Sequence, residues 1–88
     1  MITAVVLITA EKGALPTLGE ALAAIPGVSE VYSVTGEFDF IAMVRAKAHD
    51  DLADIVTGRI AQTRGVARTH THVAFRAYSK HDLETLFG

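Results

Sequence analysis

The fold class this sequence predicts is a two-layer α+β domain with its elements in the order βαββαβ. Three observations predict it. Strand-like and helix-like stretches follow one another in that order along 88 residues, a length that holds one small domain and no second. The chain also repeats itself at a fixed offset. Gly27-Val28 and Gly65-Val66 lie 38 residues apart, and the same offset sets Ile2-Thr3-Ala4-Val5-Val6 against Phe40-Ile41-Ala42-Met43-Val44. Two βαβ halves of equal length give this register. The order is the ferredoxin-like one, an antiparallel four-stranded sheet with two helices on one face, and residues 1–88 are read as one domain.

Residues 2–10 form an apolar run rich in Val and Ile, the pattern of a strand covered on both faces. Gly13 breaks the run, and Pro16 falls where the first turn of a helix tolerates proline. Leu15, Leu18, Leu22 and Ile25 recur at helical spacing, which predicts an amphipathic helix over 14–25 that Pro26-Gly27 stops. Strands at about 28–35 and 39–47 follow, joined by a bend at Gly36. Asp50 and Asp51 open a second helix with charges that suit its N-terminus; Leu52, Ile55, Val56 and Ile60 form its apolar stripe and Gly65 ends it. Gly58 inside that stretch costs the helix about 1 kcal/mol relative to Ala. Val66 to Tyr78 reads as a long last strand, and His81 to Gly88 as a short helical turn whose Leu83, Leu86 and Phe87 pack back or against a partner.

Alternation divides each strand between two faces. Thr3, Val5, Leu7 and Thr9 share one face of the first strand, with Ile2, Ala4, Val6 and Ile8 on the other; Thr69, Thr71, Val73 and Phe75 oppose Arg68, His70, His72, Ala74 and Arg76 on the last. Both faces of the first strand need cover, but two helices cover only one. Pairing two sheets face to face hides the second, so a homodimer is the expected minimum unit. Small size and the absence of cysteine, which rules out disulfide staples and thiolate metal sites, agree with self-association.

Eight Lys and Arg against ten Asp and Glu leave a net charge of −2, and the arginines at 45, 59, 64, 68 and 76 are scattered, so no direct nucleic-acid contact is expected. The apolar start has no basic segment before it and stops at Glu11, too short to span a bilayer, which predicts a cytoplasmic chain without a membrane partner. No nucleophile with its base can be recognised by spacing and no Gly-rich phosphate loop occurs, so neither catalysis nor a cofactor is expected. His70 and His72 have the i, i+2 spacing of some zinc sites but lack a third ligand. They are read as interface histidines without metal, able to make assembly pH-sensitive.

The bend carries the candidate chemistry. In Val34-Thr35-Gly36-Glu37-Phe38-Asp39, Gly36 frees the backbone to expose N–H groups and Asp39 sets a carboxylate beside them. That combination suits a zwitterion such as a free amino acid. From Glu30 to Val44 the sequence resembles the ligand-sensing domain of Lrp/AsnC transcriptional regulators: a strand ending in Thr-Gly, any residue, an aromatic, Asp, then an apolar strand. Gly65-Val66-Ala67-Arg68-Thr69-His70-Thr71-His72-Val73 resembles that family's second hallmark, Gly-Val followed by spaced threonines.

The resemblance covers nearly the whole chain and implies dimers built by packing two four-stranded sheets, assembled further into rings such as an octamer. It also implies an amino-acid effector bound between dimers near the bend. Carried over, Gly36 offers N–H groups to a carboxylate, and Asp39 either meets an ammonium or holds the bend. Thr35 and Thr71 are hydrogen-bonding neighbours, and Glu37 or Phe38 shapes selectivity. Family members usually carry an N-terminal helix-turn-helix domain, whereas this sequence begins at the first strand of the sensing domain. The expectation is therefore a stand-alone accessory in transcription regulation that acts through another protein. Two alternatives belong to other classes: a small dimeric ferredoxin-like enzyme of the monooxygenase or isomerase kind, using His70, His72 or Tyr32, and a structural partner of full-length Lrp/AsnC regulators.

Overall fold

The computed structural model describes residues 1–78 and 80. Within them the elements run β1 (Ile2–Ala10), α1 (Leu15–Ala23), β2 (Val28–Ser33), β3 (Phe40–Ala46), α2 (His49–Ala53), which continues as a π-helix (Asp54–Ile60), and β4 (Val66–Ala74). The strands form one antiparallel sheet in the order β2-β3-β1-β4. This is the expected ferredoxin-like sandwich.

The core lies between sheet and helices. Ala4, Val6 and Ile8 of β1 and Phe40, Ala42, Val44 and Ala46 of β3 are buried against Leu18 and Leu22 of α1 and Leu52 and Ile60 of the second helical segment. Alternation places the other side chains of β1 and β3 on the opposite face, where Val5, Leu7, Ile41 and Met43 are only half-buried and, among the described residues, no helix lies.

The repeat seen in the sequence is a repeat of turn geometry. Val28 N–H donates to the Ile25 carbonyl and Val66 N–H to the Thr63 carbonyl, both at 3.1 Å. Between them Gly27 and Gly65 take φ of +96° and +101°, the third position of a type II turn that only glycine fills without strain. One residue earlier, Pro26 has the φ that such a turn wants, and Arg64 stands in its place in the second copy.

Several boundaries differ from expectation. The bend is a six-residue connection, Val34 to Asp39, because β2 ends at Ser33 and β3 starts at Phe40, its cross-strand partner. The second helix is not α throughout: Ala61 N–H reaches back five residues to the Val56 carbonyl (2.9 Å), and the exposed Gly58 sits inside the widened turns. Leu15, the first residue of α1, is exposed rather than part of the buried stripe. β4 stops at Ala74, and Phe75, at a bend beyond it, is 99 % exposed. The expected helical turn at 81–88 lies outside the described residues.

Candidate functional site

The Val34–Asp39 connection is not a free loop. Val34 N–H donates to the Asp39 carbonyl (3.0 Å), which closes the bend on itself. Asp39 N–H then donates to the Ile8 carbonyl (2.9 Å), and Ala10 N–H donates to the Asp39 carboxylate at Oδ2 (2.7 Å). These two bonds clamp the bend across the last residues of β1. Ala10 lies two residues beyond Ile8, the last β1 residue paired with β3, which explains why a side chain and not a neighbouring strand meets the Ala10 N–H. Of the two roles open to Asp39, holding the bend is the one the geometry fills.

Gly36 stands at the tip with φ +109° and open space where a Cβ would lie, so glycine is there for its backbone angle and not for room. Thr35, Gly36 and Glu37 are exposed, while Phe38 and Asp39 are half-buried.

Clamping the bend to β1 brings it beside β4. Thr9 and Arg68 are cross-strand partners, as are Leu7 and His70, so Thr9, Arg68 and His70 share the helix-free face. The Phe38 ring meets His70 edge to face, with ring centroids 5.4 Å apart and planes at 65°. Together Thr9, Glu37, Phe38, Arg68 and His70 line a hollow of about 390 Å³.

The two motifs noticed in the sequence therefore meet in space, but not through the residue expected. Thr71 is paired with Val6, whose side chain is buried under the helices, and so it lies on the opposite face of the sheet from the hollow. Thr35 and Gly36 belong to the bend but do not line the hollow, whereas Glu37 and Phe38 do. Sequence reasoning missed Thr9 and Arg68. The available signal was the alternation that grouped Arg68 with His70, which becomes informative once the β1–β4 register is known.

Two larger hollows, of about 430 and 450 Å³, lie beside the turns at Gly27 and Gly65 and are lined by none of the candidate ligand-binding residues Thr35 to Asp39 and Thr71. Tyr32 and Glu30, two residues apart on β2, form their own pair: the hydroxyl donates to the Glu30 carboxylate. That hydrogen bond, reinforced by the carboxylate's charge, raises the phenol above its ordinary value near 10.

The profile of the Lrp/AsnC ligand binding domain matches residues 3–83, almost the whole chain. The chain belongs to the Lrp/AsnC ligand-binding domain family. TTHA0845 from Thermus thermophilus, a solved structure, is 51 % identical with a TM-score of 0.84, over 91 % of this chain and all of that one. The uncharacterized HTH-type transcriptional regulator PH1916 of Pyrococcus horikoshii is 41 % identical over 58 residues, 66 % of this chain. Those residues span only 39 % of that regulator's length. A feast or famine regulatory protein of M. tuberculosis, solved in complex with L-methionine, is 29 % identical with a TM-score of 0.72, covering 91 % of this chain and 54 % of its own. These relatives lend no support to the enzyme alternative.

Proposed function

We propose that this Lrp/AsnC ligand-binding domain takes up a free amino acid at the Gly36–Asp39 bend and uses it to control assembly in transcription regulation. The observation that carries the proposal is the clamped bend within a domain matched to the family over residues 3–83. The methionine complex of the M. tuberculosis relative supports an amino acid as the effector.

The unit in solution is a homodimer formed through the helix-free face, where Val5, Leu7, Ile41 and Met43 are left half-covered, and dimers assemble further, up to an octamer. Full-length Lrp/AsnC regulators are the protein partners of the assembly, which works in the cytoplasm without an enzymatic step. The regulatory nature of PH1916 supports that setting.

A thermal-shift titration against the twenty amino acids, each at millimolar concentration, tests the proposal, because a ligand that binds the native state raises the melting point by mass action. A selective rise is the expected result. No rise with any amino acid, together with no small molecule released on denaturation, would overturn it and favour a purely structural partner of the regulators.

A further inference from the structure

We propose that Glu30 of one copy and His72 of the other pair across the sheet-to-sheet interface. The pair fixes which way round the two sheets meet and tightens the dimer as the histidine gains a proton. This rests on the dimer reading above and names the contacts that fit the surface to its partner.

The helix-free face is ordered by charge from edge to edge. On β2, at one edge, Glu30 and Tyr32 stand opposite Met43 and Ile41 of β3 and share their face. Met43 and Ile41 stand opposite Val5 and Leu7 of β1, which stand opposite His72 and His70 of β4 at the other edge. Two rows therefore run straight across the sheet, Glu30-Met43-Val5-His72 and Tyr32-Ile41-Leu7-His70. Each is apolar in the middle. Glu30 makes the β2 edge acidic, whereas the β4 edge bears Arg68, His70 and His72.

Two identical sheets can meet face to face with their strands aligned in two ways. A two-fold axis across the strands sets β4 over β4 and β2 over β2, like charge on like. An axis along the strands sets β4 of each copy over β2 of the other and keeps every row at its own height. Met43 then meets the partner's Val5, Ile41 meets the partner's Leu7, and Glu30 meets the partner's His72. Apolar lies on apolar and opposite charge on opposite, so the face fits a second copy of itself in that orientation.

The facing groups give the sign of the pH dependence. Glu30 accepts a hydrogen bond from the Tyr32 hydroxyl, and its carboxylate has lone pairs left for a second donor. His72 has Arg68 and His70 on its own strand, and these cations act on it in the separate copies too. Of the partner's charges, Glu30 lies directly over His72. Arg45, whose guanidinium donates to the Thr3 hydroxyl (3.5 Å), lies one row off. His70 meets the partner's neutral Tyr32 and stands edge to face with its own Phe38, while Glu37 shares a hollow with Arg68. Histidine is the side chain that changes charge between pH 5 and 8. A protonated His72 forms an ion pair with the carboxylate, so the dimer holds more tightly at pH 6 than at pH 8.

The test is sedimentation of the full chain over a dilution series at pH 6 and pH 8. It compares the unaltered chain with Glu30→Lys, His72→Glu and both together. Both sites are exposed, and a thermal melt of each variant verifies the fold. The unaltered dimer should dissociate about three- to tenfold less readily at pH 6, from two symmetric exposed pairs. At pH 6 each single reversal sets like charges together twice per dimer and should weaken it about tenfold or more. The double variant places Lys over Glu and should recover the dimer, with the ratio between the two pH values falling toward one. The chain has no cysteine, so copies with Glu30→Cys and with His72→Cys can be mixed and treated with a short bismaleimide. Covalent dimers should form in the mixture and not in either variant alone.

Self-cross-linking of either variant alone would show the other orientation and overturn the pairing while leaving the face-to-face dimer in place. A double variant as weak as the single ones would overturn it as well. A dimer equally tight or tighter at pH 8 would overturn the role given to the proton. An unaltered chain that stays monomeric at every concentration would overturn the dimer reading itself, and the pairing with it.

Discussion

At the scale of single residues, Asp39 carries the most structural weight in the site. Its backbone and carboxylate join the bend to two alternate residues at the end of β1, Ile8 and Ala10. Asp39→Ala leaves the Ala10 N–H without its charged acceptor, and about 1.5–3 kcal/mol of stability should be lost. Urea unfolding checks this; an unchanged midpoint would show that the clamp contributes nothing. Tyr32 gives a second prediction, in its titration. The hydrogen bond to Glu30 and that group's negative charge both favour the neutral phenol, so its midpoint should lie above the ordinary value near 10. Because the folded-state value is raised, the pair's contribution to stability is complete below the unfolded value and disappears as pH rises through the folded one. Glu30→Gln should move the phenolate absorbance curve back toward the ordinary midpoint, and superimposable curves would refute the pairing. Gly36 and Asp39 were legible in the sequence because turn chemistry is local. The orientation of Thr71 was not, since the face of β4 that looks toward the bend depends on its register with β1.

At the scale of elements, the offset between Gly27 and Gly65 was readable because the same positive-φ turn must end each helical segment before the next strand begins. A Cβ on Gly65 would come within 2.8 Å of the Ala14 Cβ in addition to facing φ +101°. Gly65→Ala should therefore destabilise the domain by more than about 1 kcal/mol. Gly58 makes the internal contrast, with nothing within 4 Å of a Cβ at that position. Gly58→Ala should raise stability by about 0.5–1 kcal/mol, as expected for an exposed helical glycine. Thermal melts of the two variants should shift in opposite directions, and a shared direction would contradict the turn account. The widened turns of Asp54–Ile60 were not legible, because the apolar positions Leu52, Ile55, Val56 and Ile60 fit an ordinary helix equally well. Nor was the end of β4 at Ala74. Alternation continues in the sequence past the residue where pairing with β1 ends, at Thr3 and Ala74.

For the whole molecule, the fold was legible because its two βαβ halves carry consistent local signals and their buried residues fall on one face of the sheet. The other face bears Val5, Leu7, Ile41 and Met43 without a covering helix among the described residues, and the sequence had indicated as much by leaving both faces of β1 apolar. Leu7→Glu should place a charge in the middle of that face and reduce the particle to a monomer in sedimentation, with the fold kept. An unchanged mass would mean that self-association uses another surface. The central claim, that this domain is an assembly that binds an amino acid, is tested most directly by native mass spectrometry across the amino acids that raise the melting point. The account predicts particles with an even number of copies, each copy carrying one amino acid. Monomers that hold no amino acid at any concentration tried would contradict it.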